Sequence, residues 1–144
     1  MIEFRDVSHS FDGRRVLSDV SVDLPERRIG IVGANGSGKS TLARMINALV
    51  VPDTGTVVVD GLDAAKEKRR VRRRVGFIFS DPDRQIIMPT VREDIELSLT
   101  RTDLNKAERR DRAMSVLERF GLADHADQPA SRLSGGQKQL LALA

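Results

Sequence analysis

The sequence predicts an α/β fold with an antiparallel β-rich start, a strand–loop–helix unit at its centre and a helical second half. Three observations predict it. Apolar residues alternate at Ile2, Phe4 and Val7, then at Val16, Val20, Val22 and Leu24, in the manner of half-buried strands. The apolar run Arg28 to Val32 enters a glycine-rich loop, Gly33 to Gly38, after which Leu42, Met45, Ile46, Leu49 and Val50 recur at helical spacing. Beyond Pro82 the segments lengthen and become charged, and Met114, Leu117 and Phe120 again fall on one helical face.

The elements follow in chain order. Asp12-Gly13 is a turn dipeptide between the first two alternating runs, so they read as strands of a small antiparallel sheet. Arg28 to Val32 reads as a buried strand. Pro52 to Gly55 makes a turn, Thr56 to Val59 a strand ending at Asp60-Gly61, and Val75 to Phe79 a further strand. Between the last two, Lys66 to Arg74 holds seven basic residues and one Glu. With no Tyr or Trp to interleave, that run reads as a solvated helix or loop rather than a nucleic-acid patch. Asn105, with Glu108 three residues on, begins a helix that closes near Gly121. No repeat or low-complexity segment interrupts this order. One domain over residues 1–144 results, with a β and loop-bearing core over about 1–80 and a helical part over about 81–144.

Composition narrows the function classes. Of 144 residues, 40% are apolar and 31% charged, and no run approaches the roughly 18 apolar residues of a membrane span. Met1 to Asp6 lacks the apolar core of a secretory signal, so the cytoplasm is the default location. Zero cysteines exclude disulfides, iron–sulfur clusters and thiolate metal sites. His9 and His125 stand apart in the sequence and read as surface residues, not metal ligands.

The chemistry concentrates in Gly33-Ala34-Asn35-Gly36-Ser37-Gly38-Lys39-Ser40, which satisfies G-x-x-x-x-G-K-[ST] and is followed by Thr41. Backbone N–H groups wrap phosphate oxygens in such a loop, because glycines permit the dihedrals and remove side-chain bulk. The helix starting near Lys39 adds its uncapped N–H groups and the positive end of its dipole. Lys39 reaches the β- and γ-phosphates of a nucleotide, and Ser40 supplies a hydroxyl to Mg²⁺. ATP with Mg²⁺ is therefore the predicted ligand, with Lys39 stabilising charge on the transferring phosphoryl group.

A second feature is Leu133-Ser134-Gly135-Gly136-Gln137. Ser134 as N-cap and Gln137 three residues later form the capping box of a helix running into Leu140 and Leu141. Two glycines in its first turn leave N–H groups uncovered for an anion, and the Ser134 hydroxyl adds a donor. Alone, this reads first as a simple capped helix and only second as an anion site.

Taken together and in this order, the phosphate loop and the LSGGQ pentapeptide resemble the ABC ATPases, and the resemblance covers the whole chain. It implies the ABC type of P-loop NTPase fold: an N-terminal antiparallel β subdomain, part of a RecA-like parallel core and an α-helical subdomain. It also implies a head-to-tail dimer, homo- or heteromeric, in which Ser134, Gly135, Gly136 and Gln137 of one subunit close on the γ-phosphate held by the other. Phe11 sits where the family places an aromatic that stacks on adenine; the residue itself reads equally as core.

Asp81-Pro82-Asp83-Arg84-Gln85 and Pro89-Thr90-Val91-Arg92-Glu93-Asp94 look like the ATPases of energy-coupling factor importers, closest to the biotin branch. That likeness implies integral membrane subunits as partners, a peripheral position at the cytoplasmic face of the membrane, and no nucleic-acid partner. Cobalt, nickel or another vitamin is the alternative cargo, and a soluble ABC protein acting on nucleic acid or ribosomes the alternative class. One departure stands out: the family's Q-loop glutamine aligns with Ser80, whose shorter hydroxyl still reaches a water, while Gln85 falls five residues late. Two further segments imitate the magnesium-side strand of a P-loop enzyme. Val57-Val58-Val59-Asp60 runs into a turn glycine and reads as a hairpin, and Phe77-Ile78-Phe79-Ser80-Asp81 is a second imitation. No strand ending in Asp-Glu follows the LSGGQ helix, so the sequence reads as a fragment that binds nucleotide without turning it over, with an exposed central sheet edge.

Overall fold

A computed structural model describes all residues, 1–144, and resolves them into two compact units, Met1–Phe77 and Ile78–Ala144.

The first unit is built on a four-stranded sheet of order β2-β1-β3-β4. Strand β1 (Ile2–Phe11) pairs antiparallel with β2 (Arg14–Leu24) and, on its other edge, with β3 (Thr54–Val59). Phe4 and Val7 both point inward with Leu17, Val57 and Val59, because the β1–β2 register shifts between them, where Asp6 sits at φ 49°, and so restores to the core face a residue that strict alternation would turn out. Strand β3 turns through Asp60 and Gly61, both at positive φ, into the two-residue β4 (Leu62–Asp63). That geometry is the tight hairpin for which an Asp-Gly pair is suited. The valine run ending at Asp60 is thus an antiparallel hairpin strand, as its turn glycine implies. Helix α1 (Lys39–Ile46) lays Met45 onto this sheet, and α2 (Lys68–Arg72) adds Val71.

Three expectations need correction here. Arg28 to Val32 forms no strand: Ile29 and Ile31 are each 40% exposed and Val32 93%. Val75 to Phe79 forms none either. Both runs have the composition of central parallel strands, which become regular only when neighbouring strands satisfy their backbone groups, and no strand of this chain lies beside them in a ladder. Helix α1 stops at Ile46, short of Val50, because Ala48 adopts a left-handed conformation and Arg72 donates to the carbonyls of Asn47 (3.2 Å) and Ala48 (2.9 Å). An arginine from the basic run thereby caps the C-terminal end of α1.

The second unit is helical. α3 (Val91–Ser98), α4 (Lys106–Arg119) and α5 (Gly135–Leu143) contribute to a separate apolar core of Val91, Ile95, Ala113, Leu117, Leu122, Leu133 and Leu141, with Ala126 and Ala130. Each of these helices opens with a reciprocal capping box: Thr90 with Glu93, Asn105 with Glu108, and Ser134 with Gln137. The last two were legible as S/N-x-x-E/Q patterns. No helix is long and apolar enough to cross a membrane.

Candidate functional site

Helix α1 differs from the other three helices of eight or more residues in having no side-chain N-cap. Its N-cap is Gly38, at φ 89°, and Gly36 two residues earlier is at φ 80°. Alternation through left-handed glycines turns successive amides to one side, the geometry of an anion-binding nest. Space confirms the need for glycine at 38: a Cβ there would come within 2.9 Å of a Leu17 methyl and 3.0 Å of the Val16 carbonyl. With no cap, the first-turn amides of α1 are left for a ligand, at the positive end of the helix dipole.

Residues Gly33, Ala34, Asn35, Gly36 and Ser37 are all exposed and form the arch of the loop. Lys39 folds back beneath it, its ammonium donating to the carbonyls of Gly33 (2.9 Å) and Ala34 (2.7 Å). Those bonds hold a positive charge beside the nest. Ser40 is exposed and Thr41 buried at the start of the helix. Together Gly36 to Thr41, Val16 and Phe11 line a cleft of about 260 Å³. Phe11, 47% exposed, is therefore not core but the aromatic wall of the cleft that contains the loop. The lining holds no carboxylate and no histidine.

His9 corrects the sequence reading. It is buried at 8% exposure, not on the surface, and its ring meets Phe11 edge-on, centroids 4.6 Å apart and planes at 89°. His125 is half-buried and accepts a hydrogen bond at Nε2 from the Gln137 side chain at 2.8 Å.

In the second unit the capping box predicted for the LSGGQ segment is present. Ser134 Oγ accepts from the Gln137 amide (3.3 Å), and Gln137 Oε1 accepts from the Ser134 amide (2.8 Å). Since the hydroxyl is used only as an acceptor, its hydrogen remains available to donate. Gly135 and Gly136 face open space, so an approaching anion meets backbone rather than side chains.

Ser80 is exposed, and what it contributes within the fold is its carbonyl, which accepts from Gln139 Nε2 at 3.1 Å. Gln85 is committed to structure: its Oε1 accepts from the Phe79 amide (3.0 Å) and its Nε2 donates to the Ala142 carbonyl (3.2 Å). With Lys138 paired to Asp83 at 2.7 Å, three side chains clasp the Ser80–Gln85 turn to α5. Sequence reasoning missed this clasp because its partners lie more than fifty residues apart. Asp81 caps the 3₁₀ turn Pro82–Arg84 through the Asp83 amide and pairs with Arg84. No group of three or more His, Cys, Asp or Glu side chains is gathered as a metal cluster, and the side-chain oxygens that line the cleft beside the nest are the hydroxyls of Ser37, Ser40 and Thr41.

Comparison with known proteins bears on this geometry. The sequence model of the ABC transporter family matches residues 17–144. A Deinococcus radiodurans protein named for ABC transporter ATP binding is 53% identical over 144 residues, covering 100% of this chain and 64% of that protein. The biotin transport ATP-binding protein BioM of Rhizobium etli is 47% identical over 142 residues, covering 99% of this chain and 63% of BioM. Among solved structures, the dimeric post-hydrolysis state of the ATP-binding cassette MJ0796 bound to ADP and Pi superposes with a TM-score of 0.81 at 30% identity, covering 99% of this chain and 67% of that one. The chain thus spans a little under two thirds of the length of the curated relatives it matches. A glycine nest opening an uncapped helix, a capped LSGGQ helix and these likenesses agree, and the chain belongs to the ABC transporter family of ATP-binding proteins.

Proposed function

We propose that this chain is the nucleotide-binding part of the energy-coupling ATPase subunit of a membrane importer, with biotin as the cargo. The observation that carries the reading is the uncapped start of α1 behind two left-handed glycines, with the Lys39 ammonium held beside it. The biotin assignment is supported by the Phe-Ser-Asp-Pro and Ile-Met-Pro-Thr segments and by the likeness to BioM.

In this reading the loop amides of Gly33 to Gly38 wrap the phosphates, Lys39 exchanges its two carbonyl partners for β- and γ-phosphate oxygens, and Phe11 stacks on adenine. Ser40 would hold Mg²⁺ together with phosphate oxygens, and the ion would supply charge neutralisation to the transferring phosphoryl group. Ser134, Gly135, Gly136 and Gln137 act in trans, donating an O–H and amides to the γ-phosphate bound by a second ATPase subunit. Integral membrane subunits are the other partners, and the complex works at the cytoplasmic face. The cleft lining contains no group able to take a proton from water, so hydrolysis draws its base from outside the lining described.

The test is uptake of labelled biotin by membrane vesicles carrying the complete subunit, an extended chain that includes these residues, with its membrane partners. ATP-dependent uptake that disappears in Lys39→Ala is the expected result. Uptake of cobalt or nickel in place of biotin contradicts the cargo, and salt-sensitive nucleic-acid binding without uptake contradicts the importer assignment.

A further inference from the structure

Phe11 is a half-exposed aromatic at the last position of β1, and an exposed ring at a strand end rotates freely unless something holds it. What touches it is the ring of His9, two residues earlier on the same strand. The perpendicular contact occupies at most one face of Phe11 and leaves the other for a base. His9 is itself fixed. Asp53, just before β3, binds three consecutive residues of β1. Its amide donates to the Ser8 carbonyl (2.9 Å), its Oδ1 accepts from His9 Nδ1 (3.1 Å), and its Oδ2 accepts from the Ser10 amide (2.8 Å). The bracket falls where the β1–β2 register is irregular, on both sides of His9, and just past Ser8, where the pairing of β1 with β3 ends.

We infer that His9 and Asp53 are positioning residues for the Phe11 ring: Asp53 clamps the end of β1 and orients the imidazole, and the imidazole sets the aromatic wall of the nucleotide cleft. The inference rests on the reading of Phe11 as the adenine platform. Neither residue touches the nucleotide, so their effect is on the base and not on the phosphates.

Binding of MgATP and of magnesium tripolyphosphate, which has phosphates but no base, separates the possibilities in this chain and in Phe11→Ala, His9→Ala and Asp53→Ala. Phe11→Ala is expected to weaken ATP by about tenfold, the scale of one lost stacking contact. His9→Ala and Asp53→Ala are expected to lose a substantial part of the same factor, and no variant to lose tripolyphosphate binding. Loss of both ligands in equal measure in His9→Ala marks a merely structural role and overturns the inference, as does full ATP affinity in His9→Ala alongside a weakened Phe11→Ala. An unchanged Phe11→Ala overturns the platform reading itself and the inference with it. A second measurement needs no ligand. The Phe11 ring protons, shifted by the imidazole beside them, should move to averaged, solvent-like positions in the NMR spectrum of His9→Ala; unchanged resonances contradict the support whatever the binding shows.

Discussion

At the scale of single residues, charge placement decides local order. Asp63 lies where β4 leads towards α2. Burial works against its charge, but the amide and ammonium of Lys66 and the amide of Ala65 together outweigh it and hold the carboxyl below the usual carboxylate range. A carboxylate whose pKa is lower folded than unfolded stabilises the fold above its unfolded value, near 3.9, and loses that contribution as pH falls through the folded value. Asp63→Asn keeps an acceptor and removes the charge. It is therefore expected to be less stable than the parent at pH 7, with the difference closing as pH drops below about 4, measured by urea midpoints across that range. Much at this scale was legible in sequence where partners are near neighbours, as in Asn105 with Glu108 or Ser134 with Gln137. Arg72 on the end of α1, Gln85 on α5 and Asp53 under His9 were not, since nothing local marks a side chain whose partner is brought in by the fold.

At the scale of elements, the helix starts divide by purpose. Ser134→Ala removes the cap of α5 and should cost about 1 kcal/mol in a urea titration, whether or not nucleotide is present. In the proposed head-to-tail dimer the same change also removes a donor to phosphate, so the complete subunit is expected to lose ATP-driven dimerisation as well. Strands divide too. Period-two alternation foretold β1 and β2, and the Asp60-Gly61 turn marked the end of β3, which begins at Thr54 inside the stretch read as a turn; these strands pair within a sheet that this chain completes by itself. The runs Arg28 to Val32 and Val75 to Phe79 were misread as strands because apolar composition reports the need for burial, not the presence of a neighbour. Val32, at 93% exposure, makes this testable: Val32→Lys should change the stability of this chain by less than about 0.5 kcal/mol, where a buried strand residue would cost several. A urea midpoint lowered to that larger extent would place Val32 in a core.

At the scale of the whole molecule, each of the two units has its own apolar core and its own glycine-bearing helix start, one uncapped behind the glycine loop and one capped by Ser134. The α/β class, the phosphate loop and the LSGGQ helix were legible because each is a short contiguous pattern with a physical reason for its residues. The cleft was legible only in part, as Phe11 was placed by resemblance while its support by His9 came from the fold. The central claim is that Gly33 to Thr41 hold a nucleotide by its phosphates, with Lys39 as the cation of that site. Calorimetric titration of MgATP into this chain and into Lys39→Ala tests it most directly. Loss of a charge-assisted bond worth about 1.5–3 kcal/mol predicts affinity at least tenfold weaker in the variant, with the fold unchanged by circular dichroism. Equal affinity in the two proteins would contradict it.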